Sequence, residues 1–252
     1  MDSVWRSDLK YYFDETLIEA RIVTRKSQFT MIVDVGGEEI ACHCPTTGRI
    51  GDLELKNVAC LLSKSKDPKR KTSYTVEAIS ADNLDEPNKN WIGINQILSN
   101  RLVEYFFETH QLDEIVSDYT EIKREVNLGI SKLDFLIGDT YLEVKTPLTT
   151  LQVEYGSDIK TKKVTPFSAT ERFTKHINEL AGSLKEHERA ILLTVYQYEV
   201  SKPKAHQKST HYEEVHSAMD TAIKKGLQTY EVSMKFEKDG VELLACQNTT
   251  NR

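Results

Sequence analysis

The sequence predicts a two-domain α/β protein, with a small β-barrel in residues 1–85 and a mixed β-sheet flanked by helices in residues 86–252. Short extended segments separated by polar turns recur over roughly residues 15–85, as in a barrel built of short strands. From residue 95 the order becomes helix, three strands, helix, strand, helix, strand, a meander followed by an α/β crossover. The chain has 252 residues, 39% of them hydrophobic, which is long for one α/β domain and comfortable for two with real cores.

The elements follow in order. Phe29, Met31 and Val33 alternate with Thr30, Ile32 and Asp34, and Gly36-Gly37 then turns the chain into a second extended run at 39–44. Further strands are expected at 58–63 and 73–80, and the polar stretch 82–90 reads as an inter-domain linker. Leu98, Leu102 and Tyr105/Phe106 give residues 95–110 a helical stripe. Strands at 121–126, 132–137 and 140–145 precede a loop at about 147–167. Ser168 and Glu171 form a capping box for a second helix, with Phe173, Ile177, Leu180 and Leu184 on its buried side. Residues 189–200 are rich in β-formers and suit a central buried strand. A third helix at 212–225 is stopped by Gly226, and strands at 227–236 and 241–245 close the chain.

Composition limits the function. A net charge of −6 argues against a protein that coats nucleic acid non-specifically, but leaves room for a local basic groove. Basic clusters at 64–71, 160–163 and 202–211 read first as solvated loops. The four cysteines include no C-x-x-C; in Cys42-His43-Cys44 adjacent side chains face opposite ways and no second cluster completes a zinc set. Reduced cysteines, no signal peptide and no apolar run near 18 residues lead us to expect a cytoplasmic protein without a membrane span.

The chemistry concentrates in residues 131–145, SKLDFLIGDTYLEVK. A two-residue turn at Gly138-Asp139 places Asp134 directly opposite Glu143, with Lys132 opposite Lys145. Those four residues then share one face, while Leu133, Phe135, Ile137, Leu142 and Val144 form a buried apolar face. Opposed carboxylates repel, so a cation is expected between Asp134 and Glu143. Spacing alone leaves two accounts open, a lysine pairing across strands or a divalent metal. All-oxygen ligands favour Mg2+ or Mn2+ over zinc.

Asp134…Glu143-Val144-Lys145 fits the PD-(D/E)xK nuclease pattern, and the chain from about residue 17 to 244 resembles the sugar fermentation stimulation protein A family. The resemblance is carried by His43–Arg49, by Lys69–Tyr74, by Trp91–Asn95 with Asn100-Arg101-Leu102, by Arg124-Glu125-Val126 with Lys132–Phe135, and by Thr170-Glu171-Arg172 with Lys175-His176 and Glu179-Leu180. Thr46, Thr165–Phe167 and Phe173 depart from the family pattern. The resemblance implies an OB-like N-terminal barrel and a restriction-endonuclease-like C-terminal domain. It also implies nucleic-acid binding, metal-dependent phosphodiester hydrolysis and a link to the regulation of sugar utilisation.

On this footing Asp134 and Glu143 are expected to hold Mg2+ or Mn2+ and Lys145 to position water or phosphate. Glu104 is a further candidate ligand; Glu125 is a candidate neighbour of the site, and His176, on the polar side of the second helix with Arg172 and Lys175, a candidate general base. Arg172 and Lys175 are candidates for phosphate contact, as are Arg25, Lys26, Arg49, Arg70 and Lys71 on the barrel. Phe29, Tyr74 and Trp91 are expected in the core, with base stacking the other account of them. A homodimer is possible. The alternatives are a DNA-binding transcriptional regulator with a silent nuclease-like site and a metal-dependent hydrolase of small phosphorylated substrates.

Overall fold

The computed structural model describes residues 9–129, 131–166, 171–205 and 208–251. Five strands, β2 (Ile18–Ser27), β3 (Thr30–Val35), β4 (Glu38–His43), β5 (Ala59–Lys64) and β6 (Tyr74–Ser80), run in the order β4-β3-β2-β5-β6, and a parallel pairing of His43 with Thr75 closes them into a barrel. The β3–β4 hairpin turns on Gly36 and Gly37 at φ +65° and +96°, the left-handed region where glycine carries no Cβ penalty. Met31 and Val33 are fully buried as the alternation requires. Phe29 is not: it sits in the β2–β3 turn, 50% exposed.

The C-terminal half contains α1 (Gln96–Glu108), β8 (Ile122–Leu128), β9 (Ser131–Ile137), β10 (Thr140–Lys145), α2 (Glu171–Ser183), β11 (Arg189–Tyr196), α3 (Tyr212–Lys224), β12 (Gln228–Phe236) and β13 (Gly240–Asn248). β11 is central and parallel to both β10 and β12, whereas β8, β9 and β13 are antiparallel additions. One face of the sheet packs on α1 through Phe106, Phe107, Phe135, Leu142 and Ile191. The other lies under α2, with Tyr141, Ile177, Leu180 and Leu192 in one cluster. Burying each such side chain contributes about 1.5–3 kcal/mol. Ser168 of the expected capping box lies outside the described residues, within which the helix spans Glu171–Ser183.

The junction departs from expectation. Residues 82–90 are not a linker but the loop of a β-hairpin that joins β6 to β7 (Trp91–Gly93). Asp82 closes the loop by accepting from the Asn90 N–H at 2.6 Å and from Ser80 Oγ at 3.1 Å. β7 then pairs with β12 through Trp91 and Phe236, so the thirteen described strands form a single hydrogen-bonded sheet. Trp91 is buried in that seam, and Tyr74 is half-buried against the barrel core. The loop after β10 also serves the barrel, whose core includes Leu148, Leu151 and Val153. A short strand that the sequence did not announce, β1 (Tyr11–Tyr12), pairs with the start of β13.

Gly93 is the tightest point of the seam. A Cβ there would sit 2.6 Å from Gln197 Cβ and 2.9 Å from Phe236 Cδ2. Gly93→Ala is therefore expected to cost about 1–3 kcal/mol through overpacking. Urea denaturation followed by tryptophan fluorescence and by circular dichroism checks this. Because β7 joins the barrel and the C-terminal strands into one hydrogen-bonded sheet, we expect one coincident transition in the native protein.

Candidate metal centre

The hairpin keeps its expected register near the turn, with Ile137 opposite Thr140, Leu136 opposite Tyr141 and Phe135 opposite Leu142. There the ladder stops, so Asp134 and Glu143 are not a paired couple as the sequence suggested. Asp134 Oδ2 instead accepts the Val144 backbone N–H at 2.8 Å, taking the place of a main-chain acceptor. Asp134 Oδ1 accepts from Asn100 Nδ2 of α1, also at 2.8 Å. Opposite Asp134 on β8, Glu125 adopts φ +53°, a left-handed conformation rare for a side chain of its size. The alternation slips at this point: Phe135 belongs to the cluster on α1, whereas Leu133 joins the cluster under α2. The uniform apolar face predicted for β9 is thus broken at Asp134.

The supposedly polar face of β10 is buried as well. Tyr141 and Glu143 lie under α2, and Glu143 is only 3% exposed. Glu143 Oε1 receives two donors, Lys145 Nζ at 2.5 Å and His176 Nδ1 at 2.6 Å. Its Oε2 is buried without a hydrogen-bond partner. A buried anionic oxygen left unpaired costs more than an ordinary missing bond. The Asp134 carboxyl is raised above its ordinary value, first by burial and then by the negative charge of Glu143. Two desolvated, mutually repelling carboxylates, one with a vacant oxygen, make a donor set suited to a hard divalent cation.

The other residues singled out by sequence fall elsewhere. Lys132 pairs with Glu125 at 2.5 Å on an exposed strand and does not reach the carboxylates. Glu104 pairs with Arg124 at 2.9 Å, while Asn100, one turn earlier on α1, is the residue that meets Asp134. Among the described residues no group of three or more His, Cys, Asp or Glu side chains gathers as a metal cage. Arg172 and Lys175 are exposed on α2, and His176 is buried. On the barrel, Arg25 spends its guanidinium on the carbonyls of Gly48, Gln28 and Thr46. Arg49 donates to the Thr165 carbonyl at 2.8 Å, linking the barrel to the segment before α2. Lys26, Arg70 and Lys71 are exposed.

Asn100 carried no chemical signal of its own, but it shares a helix face with Glu104 at a spacing of four. His176, expected on the polar side of α2 with Arg172 and Lys175, is instead buried, because it falls between Phe173 and Leu180 at helical spacing. Ser99 is also buried, and its hydroxyl receives Thr146 Oγ1 at 3.0 Å, so α1 holds the end of β10 as well as Asp134.

Two family models match the chain, the SfsA N-terminal OB domain over residues 23–94 and the sugar fermentation stimulation protein RE domain over residues 97–240. A sugar fermentation stimulation protein homolog of Synechococcus sp. (strain JA-2-3B'a(2-13)) is 34% identical over 188 residues, covering 73% of this chain and 72% of its own. Another, from Synechococcus elongatus, is 30% identical over 243 residues, covering 93% of this chain and 96% of its own. The solved structure of Pyrococcus furiosus SfsA in complex with Ca2+ superposes with a TM-score of 0.67 at 18% identity, over 94% of this chain and 97% of that one. At that identity the match establishes the fold, an OB barrel joined to the mixed α/β sheet.

The raised carboxyl of Asp134 has a definite sign. It holds its proton more tightly folded than unfolded, so stability falls as pH rises from the ordinary value of 3.8 through the raised one. Above that range the buried carboxyl costs stability in metal-free protein. Asp134→Asn removes that charge at the cost of one acceptor, so the variant's melting temperature in EDTA should lose the pH dependence that the native protein shows across the carboxylate range. Mn2+ should raise the melting temperature of the native protein and leave the variant unmoved. Differential scanning calorimetry reads both; a variant that keeps the native pH dependence or the Mn2+ shift would contradict the assignment.

Proposed function

The chain belongs to the sugar fermentation stimulation protein family, and from that premise we propose that it is a divalent-metal-dependent nuclease. Its centre is formed by Asp134, Glu143 and Lys145. The observation that carries the proposal is the unpartnered, buried Glu143 Oε2 beside a second carboxylate whose charge it opposes. The Pyrococcus furiosus relative in complex with Ca2+ supports a site for a hard cation, and oxygen ligands suit Mg2+ or Mn2+ as working ions.

A bound Mg2+ or Mn2+ would lower the pKa of an attached water and offset the charge that builds on a phosphodiester under attack. The chain's own groups do the positioning. Asp134 is held by Asn100 and by the Val144 amide, and it keeps lone pairs on both oxygens for a ligand. Glu143 offers Oε2. Lys145 is one-third exposed, and its ammonium can turn from Glu143 towards an incoming phosphate oxygen or the attacking water. Arg172 and Lys175, exposed on the helix that covers Glu143, provide charge for flanking phosphates.

Nucleic acid is the substrate class we favour. Phosphodiester chemistry at a pair of carboxylates needs a polyanion brought close, and the protein's net charge of −6 does not attract one by itself. The barrel supplies local positive charge instead. Arg70 and Lys71 stand exposed on the β5–β6 loop, and Arg49 reaches from the barrel to Thr165 ahead of α2. Arg25, occupied by three carbonyls, holds the loop shape and is not a phosphate ligand in this reading.

The test is a cleavage panel of single- and double-stranded DNA and RNA with Mn2+. The native protein should cut at least one substrate. Lys145→Ala should lose about 100-fold or more in rate while still binding Mn2+. Glu143→Ala should lose both cleavage and Mn2+ binding. Absence of cleavage across the panel, or cleavage that persists in Glu143→Ala, would overturn the proposal.

A further inference from the structure

His176 stands out among the residues not yet given a role. It is 6% exposed on α2, far more buried than a helix histidine needs to be, and its Nδ1 lies 2.6 Å from Glu143 Oε1. Lys145 donates to that same oxygen at 2.5 Å. The two donors leave the other oxygen, Oε2, alone. A buried carboxylate with both donors on one oxygen is fixed in rotation, with its free oxygen held in one direction.

We propose that His176 is the positioning residue that orients Glu143 for metal binding, with its Nδ1–H clamping Oε1 so that Oε2 is presented to the cation. This deepens, and rests on, the metal-centre proposal above. A carboxylate accepts and does not donate, so the Nδ1 nitrogen carries the proton in this contact. Donors of this kind behind a metal ligand typically contribute roughly 10–100-fold in metal affinity. The arrangement also divides labour between the two donors. Lys145 is one-third exposed and free to swing towards substrate. His176 sits on the buried side of α2 together with Ile177 and Leu180, 6% exposed. When Lys145 leaves Oε1 for a phosphate, His176 keeps Glu143 in place. His176 acts through Glu143 and does not touch the reacting atoms, which removes it from the general-base role that the sequence had suggested.

The experiment measures Mn2+ affinity by isothermal titration calorimetry, beside melting temperature in EDTA, for the native protein and for His176→Ala, His176→Asn and His176→Gln. An asparagine amide nitrogen stands the same number of bonds from Cα as Nδ1, whereas glutamine places its nitrogen one bond further out. We expect Ala and Gln to weaken Mn2+ binding by about 10–100-fold, and Asn to recover most of it. Equal affinity in all four proteins would overturn the inference and leave the metal centre standing. Ala, Asn and Gln equally weak, each with a lowered melting temperature in EDTA, would assign His176 to packing and overturn it too. A native protein that binds no Mn2+ would remove the metal centre and this inference together.

Discussion

Burying two carboxylates side by side is the constraint that the rest of the C-terminal half answers to. Neither is fully solvated, and burial together with the charge of Glu143 raises the cost of ionising Asp134. The fold meets that cost from three directions. α1 contributes Asn100, β10 contributes the Val144 amide, and α2 contributes His176 while closing the site from water. Lys145 supplies positive charge to Glu143, and one carboxylate oxygen is still left without a partner. A protein selected for stability alone would have filled this place with apolar side chains. The left-handed Glu125 opposite Asp134 adds to the expense, about 1–3 kcal/mol of backbone strain of the sort that collects at working sites.

Much of this was legible in the sequence. Strand alternation at Met31 and Val33, the Gly36-Gly37 turn and the helical stripe of α1 all rest on local periodicity, and local periodicity is what a sequence displays directly. The hairpin register was equally readable as far as Leu142 and Phe135, because a two-residue turn sets it. Beyond that pair the prediction failed for a physical reason. It assumed that backbone partners continue along a strand, whereas the Asp134 side chain took over a backbone acceptor's role and let the strands diverge. Leu133 changed sides as a result. No propensity or period encodes such a substitution of side chain for main chain.

Tertiary context decided the remainder. Lys132 looked like a partner for the carboxylates because alternation placed it on their face, but Glu125 was nearer and solvent-exposed. Arg25 looked like a phosphate ligand until three carbonyls of the neighbouring loop claimed it. Residues 82–90 had the composition of a linker, and polar composition is shared by linkers and hairpin loops alike. His176 was read as polar-side because its neighbours Arg172 and Lys175 are charged, and the partner that draws it inward lies 33 residues away.

The seam at β7 alters how the two halves work on one object. Had 82–90 been a flexible tether, the barrel would have raised the local concentration of a bound strand around the carboxylates, with an efficiency set by tether length. The continuous sheet abolishes that search. The barrel and the two carboxylates stand at a fixed offset and angle, like the jaws of a caliper, held by the backbone pairing of β7 and the packing at Gly93 rather than by diffusion of one half about the other.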